Sequence, residues 1–311
     1  MSEGWDDGVL PDTDIENMLK PTLADFKKAT GLVLPSGGVK GLYLIGAIQY
    51  LYETIGLNHI QSYYGTSIGA VISGLLIIGY TPLEILVFVC VQKIMALLMS
   101  SLNLGKILTE KRMIDASVFT HLLTDMITKK IGFVPTLGEL YSKFQKRLCV
   151  VTISRDNIYS PLYISSDSHP EMSMVHALHM TASIPYVFGY AMYDKVEYFD
   201  GAFLDPFPVL YASKKEDWVF GIDIDSGFEK SDDLFADVRN MMNIPIQFIN
   251  EMMKKQVVHG SWIMVKTQDE IVANKTLELI HMFNSGYRQS KHQLKELVVE
   301  VETKSIKEKN D

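Results

Sequence analysis

The chain has 311 residues, of which 47% are apolar and 21% are charged, and its formal net charge is −8. This composition excludes a chain that is disordered throughout, and only two cysteines exclude a small disulfide-stabilised fold. The acidic balance argues against a partner with a phosphate backbone, so we expect no nucleic-acid binding. Cys90 and Cys149 both lie in apolar runs. This favours reduced core residues over a cysteine–histidine site, and a cytoplasmic location.

Residues 1–28 are predicted to form a polar N-terminal arm with one short helix. Residues 1–14 are acidic and lack the basic start and apolar stretch of a secretory signal. The most membrane-like segment is 85–104, but Gln92 and Lys93 interrupt it near its middle, where charge is costly in a bilayer. We therefore predict a buried or interfacial helix there and no transmembrane span.

Strand-like and helix-like segments alternate along the rest of the chain. Short apolar runs bounded by turn residues predict strands at 31–35, 59–64, 147–154, 162–165, 196–199 and 218–223. Apolar residues at helical spacing predict helices at 40–53, 68–78, from Pro82 with Thr81 as its cap, 109–131, 172–183 and beyond 232. This alternation implies an α/β fold with a mainly parallel sheet, flanked by helices on both faces, and a helical C-terminal extension.

A glycine-rich loop with the sequence Ser-Gly-Gly-Val-Lys-Gly occupies residues 36–41, between the first strand and the first long helix. Successive backbone N–H groups in such a loop can hold an anion, either a phosphate or the oxyanion of an acyl-transfer intermediate. The loop is not a dinucleotide fingerprint, because Ser36 stands where the first glycine belongs. It is not a Walker A loop either, because no Gly-Lys-Ser/Thr follows. A plain glycine turn is the alternative interpretation.

A second motif, Gly-Thr-Ser-Ile-Gly at 65–69, fits the pattern G-x-S-x-G around Ser67. A nucleophilic serine must project from a tight strand-to-helix turn, and Gly65 and Gly69 let neighbouring elements approach closely. The N-terminus of the following helix favours negative charge at the serine. The position between an apolar strand and an apolar helix favours a nucleophile, and an ordinary structural turn is the alternative.

Asp200, Gly201 and Ala202 follow the apolar run at 196–199. A carboxylate that ends a strand can reach a site at the carboxyl edge of the sheet. An ordinary Asp-Gly β-turn is the alternative interpretation of this short motif.

Together, the glycine loop, the serine motif and the Asp-Gly-Ala motif resemble the patatin-like phospholipase family in their order and spacing. Residues 181–188 are similar to the family's Ala-Ser-x-x-Pro-x-x-Phe stretch, and 199–208 to its Asp-Gly-Gly-x-x-x-Asn-x-Pro run. The resemblance covers residues 32–225. Two residues depart from the family pattern: Ser36 replaces the first glycine of the loop, and Asp205 stands near a position often held by asparagine. The second departure affects a hydrogen bond that supports the Asp200 loop.

The resemblance implies a serine hydrolase with a Ser–Asp dyad that cleaves lipid esters through an acyl-enzyme, as a phospholipase A, lysophospholipase or acylglycerol lipase does. It implies that Ser67 and Asp200 are catalytic. The implied oxyanion donors are the backbone N–H groups of Gly37, Gly38, Val39, Lys40 and Ile68, and the motif glycines are Gly41, Gly65, Gly69 and Gly201. We expect no metal and no cofactor, and a lipid substrate at a membrane or micelle surface. The expected parts are the arm (1–28), a patatin-like catalytic domain (29–230) and a helical extension packed on the same domain (231–311).

Other functions remain compatible with the sequence. The order Ser67, Asp200, His259 permits the Ser-Asp-His triad of an α/β-hydrolase, although only one clear strand precedes the strand before Ser67. A catalytically silent lipid-binding or scaffolding protein, and an acyltransferase, fit as well. The apolar stretch 83–104 either accommodates acyl chains or is ordinary core. His176 and His179 share one helix face without enough neighbouring ligands to predict a metal site.

Overall fold

A computed structural model of the chain describes residues 20–225, 234–267 and 276–307. Most of the predicted N-terminal arm, residues 1–19, and the end of the polar tail, residues 308–311, lie outside the described residues.

Eight strands form one mixed sheet. They are β1 (Gly31–Leu34), β2 (Ser62–Thr66), β3 (Arg147–Ser154), β4 (Asn157–Ile164), β5 (Ala191–Tyr193), β6 (Val196–Asp200), β7 (Val219–Asp225) and β8 (Gly260–Lys266). Hydrogen-bonded neighbours follow one another as β5-β6-β3-β2-β1-β7-β8, and β4 also pairs with β3. The strands β1, β2, β3, β7 and β8 run parallel, whereas β4 and β6 pair antiparallel with β3, and β5 pairs antiparallel with β6.

Helices connect the strands and cover the sheet. They are α1 (Leu23–Lys28), α2 (Gly41–Thr54), α3 (Ile68–Ile77), α4 (Pro82–Val91), α5 (Ile94–Ser100), α6 (Lys106–Glu110), α7 (Ala116–Ile131), α8 (Leu137–Phe144), α9 (Met174–Thr181), α10 (Val209–Ser213), α11 (Leu234–Lys254) and α12 (Thr276–Lys307). Leu32 and Leu34 point into the larger core, which includes α2 and α3, whereas Val33 points into a second core with Phe207 and Val209. Alternate residues of one strand thus face two apolar layers, as the predicted α/β fold requires.

Helix boundaries follow local capping chemistry. The predicted start of α4 at Pro82 is found, with a capping box between Thr81 and Glu84. The helix predicted from residue 109 begins later. Lys111, with φ 53°, ends α6, and the Asp115 side chain caps α7 by accepting the N–H of Ser117 at 2.9 Å.

The segment 85–104 is divided between two helices, because Lys93 adopts φ 48° between α4 and α5. Among the described helices, none alone has the length and apolar composition of a membrane span. The pair α3 and α4 passes that test together but is bent by 117°.

The part of the chain beyond residue 232 was predicted to contain helices, and the structure adds a strand there. β8 extends the sheet by pairing in parallel with β7, from Val219 opposite Gly260 to Asp225 opposite Lys266. α12 packs against α2, and Gly46 lies so close to the Phe283 carbonyl that a Cβ atom at that position would overlap it. The described C-terminal residues therefore contribute to the same core as the strands that precede them.

Candidate active site

Ser67 occupies the sharp turn between β2 and α3. Its backbone has φ 55° and ψ −123°, a conformation that non-glycine residues rarely adopt and that clusters at functional sites. The Ser67 N–H donates to Thr181 Oγ1 at 2.9 Å, and the Thr181 hydroxyl donates to the carbonyl of Val151. The Ser67 carbonyl accepts the N–H of Ala70 at 3.0 Å. These bonds hold the strained backbone in place.

Glycines make the tight turn possible. A Cβ atom on Gly69 would lie 2.5 Å from the carbonyl oxygen of Leu34, and one on Gly65 would overlap the backbone of Ala70. Two other motif glycines serve in the same way: Gly41 lies against Ile68, and Gly201 lies against the carbonyl of Val151. At Gly65, Gly69 and Gly201 a side chain is excluded because backbones approach closely, whereas at Gly41 the close neighbour is the Ile68 side chain.

Asp200 reaches Ser67 because β6 continues the line of β2. In β3, Val151 pairs with Thr66 at the end of β2, and the next residue, Thr152, pairs with Asp200 at the end of β6. β4 occupies the other side of β3, so β2 and β6 lie end to end on the same side. The sequence correctly placed Asp200 at a strand end, but this strand runs antiparallel to β3 and meets β2 head-on.

The Asp200 carboxyl is buried. Its Oδ1 accepts the N–H of Ala202 at 2.9 Å, and the Ser67 side chain lies close enough to act on the carboxyl. Burial raises the pKa of Asp200 to about 7, although the Ser67 side chain and the Ala202 N–H oppose the shift. The Asp200 N–H donates to the Ser183 carbonyl at 3.0 Å, which fixes the strand end against the segment that follows α9.

Asp205 links the two halves of this site. Its N–H donates to the Gly201 carbonyl at 2.9 Å, and its own carbonyl accepts the Thr66 hydroxyl at 2.8 Å. Its carboxyl is buried, accepts the Tyr163 hydroxyl at 2.7 Å, and has its pKa raised to about 6 by that burial. Sequence reasoning noted Asp205 but missed Tyr163, because no local motif marks this tyrosine near the end of β4.

The loop at 36–41 forms a short 3₁₀ turn, Gly38–Lys40. The N–H of Lys40 donates to the Gly37 carbonyl at 3.0 Å within this turn, whereas Gly38, Val39 and Ile68 line the same cavity as Ser67. Gly38 has φ 53°, which favours glycine, and Ser36 keeps a negative φ, so serine is tolerated there.

An apolar cavity of about 380 Å³ adjoins Ser67. Its walls come from α2, α3, α4, α5, α7 and the segment after α9. The apolar side chains that line it include Leu42, Ile45, Val71, Ile72, Ile85, Val89, Ile94, Leu98, Ile114, Phe119, Ile184, Val187 and Phe188. Part of the stretch 83–104 therefore lines this cavity, in addition to packing against the core.

The structure locates the histidines that the sequence offered for a catalytic triad and for a metal site. His259 precedes β8 at the amino edge of the sheet, where its carbonyl accepts the N–H of Val219 at 3.2 Å, whereas Ser67 lies at the carboxyl edge. This position does not support the Ser-Asp-His triad. His176 and His179 lie on α9 with ring centroids 6.4 Å apart, and burial lowers the pKa of both, that of His179 to about 4. Among the described residues, no group of three His, Cys, Asp or Glu side chains could hold a metal ion.

Comparison with known proteins gives both a family and individual relatives. A model of the patatin-like phospholipase family matches residues 32–213. The chain is 30% identical over 201 residues to "Probable lipid hydrolase 463L" of Invertebrate iridescent virus 6, a match that covers 61% of this chain and 68% of the relative. It is 26% identical over 207 residues to "Uncharacterized protein R571" of Acanthamoeba polyphaga mimivirus, covering 65% and 67% of the two chains.

Two solved structures are similar over most of this chain. VipD from Legionella pneumophila superposes with a TM-score of 0.48 at 15% identity, over 86% of this chain and 66% of VipD. The ExoU chain of the ExoU–SpcU complex from Pseudomonas aeruginosa superposes with a TM-score of 0.48 at 18% identity, over 85% and 51%. This chain thus spans between half and two thirds of those longer proteins.

Proposed function

The chain belongs to the patatin-like phospholipase family of lipid acyl hydrolases, and on that premise we propose that Ser67 and Asp200 form its catalytic dyad. The family match agrees with the resemblance that the sequence motifs carry. One observation supports the dyad above all others: the Ser67 side chain lies beside the buried Asp200 carboxyl, at the wall of an apolar cavity.

In the proposed reaction, Ser67 Oγ attacks the carbonyl carbon of an ester while Asp200 accepts its proton. The bond to the alcohol then breaks, and Asp200 returns the proton to the leaving alcohol oxygen. Water attacks the resulting acyl-enzyme, again losing its proton to Asp200. The bond between the acyl carbon and Ser67 Oγ then breaks, Asp200 returns the proton to Oγ, and the fatty acid leaves.

The environment of Asp200 suits it to act as this base. An exposed aspartate, with a pKa near 4, is a weak base at neutral pH. Burial raises the pKa of Asp200 to about 7, so the carboxylate is both populated near neutrality and basic enough to accept a proton. The Ser67 side chain already lies beside this carboxyl before substrate binds.

The backbone N–H groups of Gly38 and Val39 are the proposed oxyanion donors, with that of Ile68 at the N-terminus of α3. These three residues line the cavity together with Ser67. The N-terminus of α3 adds a favourable dipole for negative charge at the serine. Loss of one such donor is expected to lower turnover by about 10²–10³.

The cavity indicates the substrate class. Its lining is almost entirely apolar, and a volume of about 380 Å³ suits an aliphatic acyl chain better than a polar group. We therefore propose phospholipids, lysophospholipids or acylglycerols as substrates, taken from a membrane or micelle surface. The mechanism requires no metal and no cofactor.

The direct test is labelling with a fluorophosphonate, which reacts with an activated serine hydroxyl. Wild-type protein should be labelled and should hydrolyse a panel of lipid esters, whereas Ser67→Ala should lose both properties. Ser73→Ala is the matched control, since Ser73 is a buried serine of the same helix that does not line the cavity. Equal labelling of Ser67→Ala would contradict the proposal, and a wild-type protein that is neither labelled nor active would favour the silent scaffold.

A further inference from the structure

The surface of α5 and α6 carries an unusual number of exposed leucines. In the segment 93–114, which we call the α5–α6 surface, Leu108 is 92% exposed and Leu104 is 57% exposed. Leu97 and Leu102 are exposed as well. A cluster of large apolar side chains exposed to water is typical of a surface that binds a protein, a membrane or a ligand.

The same surface is basic, although the protein is acidic. Residues 93–114 contain four Lys or Arg residues and one Glu, a net charge of +3 in a chain of −8. Arg112 and Lys106 share Glu110 as an ion-pair partner, and Arg112 also lies 3.6 Å from Asp115, the residue that follows the segment. Among the described residues, no acidic side chain lies within ion-pair distance of Lys93 or Lys111.

The α5–α6 surface is continuous with the wall of the cavity. α5 contributes Ile94 and Leu98 to the cavity lining, while Leu97 on the same helix faces solvent. At the other end of the segment, the N–H groups of Met113 and Ile114 donate to the Val187 carbonyl at 3.0 and 2.8 Å, and Val187 also lines the cavity. One short helix, α5, therefore carries both residues that line the cavity and the exposed Leu97.

We propose that the α5–α6 surface docks the protein on a bilayer that contains anionic phospholipid, so that an acyl chain passes from the bilayer into the cavity beside Ser67. The inference rests on the proposed function, because a lipid substrate is what makes a bilayer the partner of this surface. Leucines that enter the headgroup region and lysines that contact anionic headgroups are the standard combination for interfacial binding.

A second exposed apolar face, on α11, is a weaker candidate. Met241, Ile244, Phe248 and Met252 are exposed along that helix. However, α11 contains two acidic and two basic residues, so it carries no net positive charge, and none of the cavity-lining residues belongs to it. Charge and position both favour the α5–α6 surface.

The experiment measures cosedimentation of the full-length Ser67→Ala protein with vesicles, so that hydrolysis does not alter the lipid. Vesicles of phosphatidylcholine alone are compared with vesicles of phosphatidylcholine and phosphatidylserine. Binding to the mixed vesicles should be stronger and should weaken with added salt. Lys111→Gln should lower the partition coefficient by about fivefold, and the double variant Leu104→Glu/Leu108→Glu should abolish binding.

Matched controls lie at the amino edge of the sheet, opposite Ser67. Val258→Glu replaces an apolar residue that is 76% exposed, and Lys255→Gln removes an exposed charge; neither should change vesicle binding. When Leu104→Glu/Leu108→Glu is made with the native Ser67 in place, the variant should keep its turnover of a water-soluble short-chain ester. That result would show that the fold and the dyad are intact.

Retained vesicle binding by Leu104→Glu/Leu108→Glu would overturn the proposal, as would its loss in Phe248→Glu instead. Equal binding to both vesicle types would overturn the assignment of anionic lipid. Failure of the proposed function gives a different pattern. Wild-type protein would not hydrolyse the soluble ester, while the vesicle assay with Ser67→Ala would still report whether this surface binds lipid.

Discussion

Asp200 meets Ser67 because two adjacent residues of β3, Thr152 and Val151, hold the ends of β6 and β2 on the same side of that strand. Backbone pairing therefore fixes the separation of the carboxyl and the hydroxyl, and neither group depends on a mobile loop. A reaction that transfers a proton between them benefits from such preorganisation, since little reorganisation is needed when the transition state forms.

The first prediction concerns the pH dependence of activity. Because Asp200 must be ionised to accept a proton and burial raises its pKa to about 7, kcat/KM for a soluble ester should rise with pH to a plateau above neutrality. Below the midpoint it should fall about tenfold per pH unit, measured from about pH 5 to about pH 9. A profile that stays flat down to about pH 5, as a base with the ordinary aspartate pKa of about 4 would give, would contradict the role assigned to the buried Asp200.

The second prediction concerns stability. The pKa of Asp200 is higher in the folded state than the ordinary value expected in the unfolded chain, so its contribution to the free energy of unfolding declines as pH rises from about 4 to about 7. Asp200→Asn removes the cost of burying a charge. Its melting temperature at about pH 8 should exceed that of the wild type by on the order of 5 °C, although we expect the variant to lose activity.

The control for this prediction is the pH series itself. The difference in melting temperature between Asp200→Asn and the wild type should shrink toward zero near pH 4, where both side chains are neutral. The exposed Asp156→Asn should show no such trend. A variant less stable than the wild type at alkaline pH would contradict the inferred effect of burial.

The local parts of this site could be predicted from the sequence because they rest on local backbone demands. Gly65 and Gly69 flank a serine with positive φ, and such a turn requires small residues at fixed positions along the chain. The capping box at Thr81 and the apolar run of β3 are local patterns of the same kind. Helix starts, strand runs and the serine turn were therefore accessible without coordinates.

Long-range pairing was not accessible in the same way. Nothing near Asp200 indicates that β6 continues the line of β2, and nothing near Tyr163 indicates that its hydroxyl bonds Asp205. β8 was missed because a short apolar strand between two helices shows no distinctive periodicity until β7 is there to pair with it. The cavity likewise depends on how five helices and one loop come together.

The third prediction concerns the positioning role of Asp205. Tyr163→Phe leaves the buried Asp205 carboxyl without its hydroxyl donor, which should cost about 1–3 kcal/mol of unfolding free energy. Since that donor stabilises the carboxylate, its loss raises the pKa of Asp205 further, and the destabilisation should be larger at about pH 8 than at about pH 5. Thermal denaturation at the two pH values measures the difference.

Two variants complete that test. Tyr211→Phe keeps the ring that stacks on Tyr163 at 3.6 Å but does not touch the Tyr163–Asp205 bond, so it should show no pH-dependent loss. Asp205→Asn keeps an acceptor for Tyr163 and removes the buried charge, and it should retain activity within several-fold of the wild type. Its stability should lose the decline that Asp205 causes in the wild type between about pH 4 and about pH 6. Equal behaviour of Tyr163→Phe and Tyr211→Phe would contradict a specific role for the hydroxyl.

The last prediction tests whether the cavity holds the acyl chain. Val89 lines the cavity from α4, and Val89→Trp adds a large ring to a space of about 380 Å³. A long acyl chain should then be excluded while a short one still fits. kcat/KM should fall on the order of tenfold for a long-chain ester and by less than about twofold for a short-chain ester. Val87→Trp, an exposed position on the same helix outside the cavity lining, should change neither value. An equal loss on both esters would show that the tryptophan disturbs the dyad, and no change on either would show that the chain binds elsewhere.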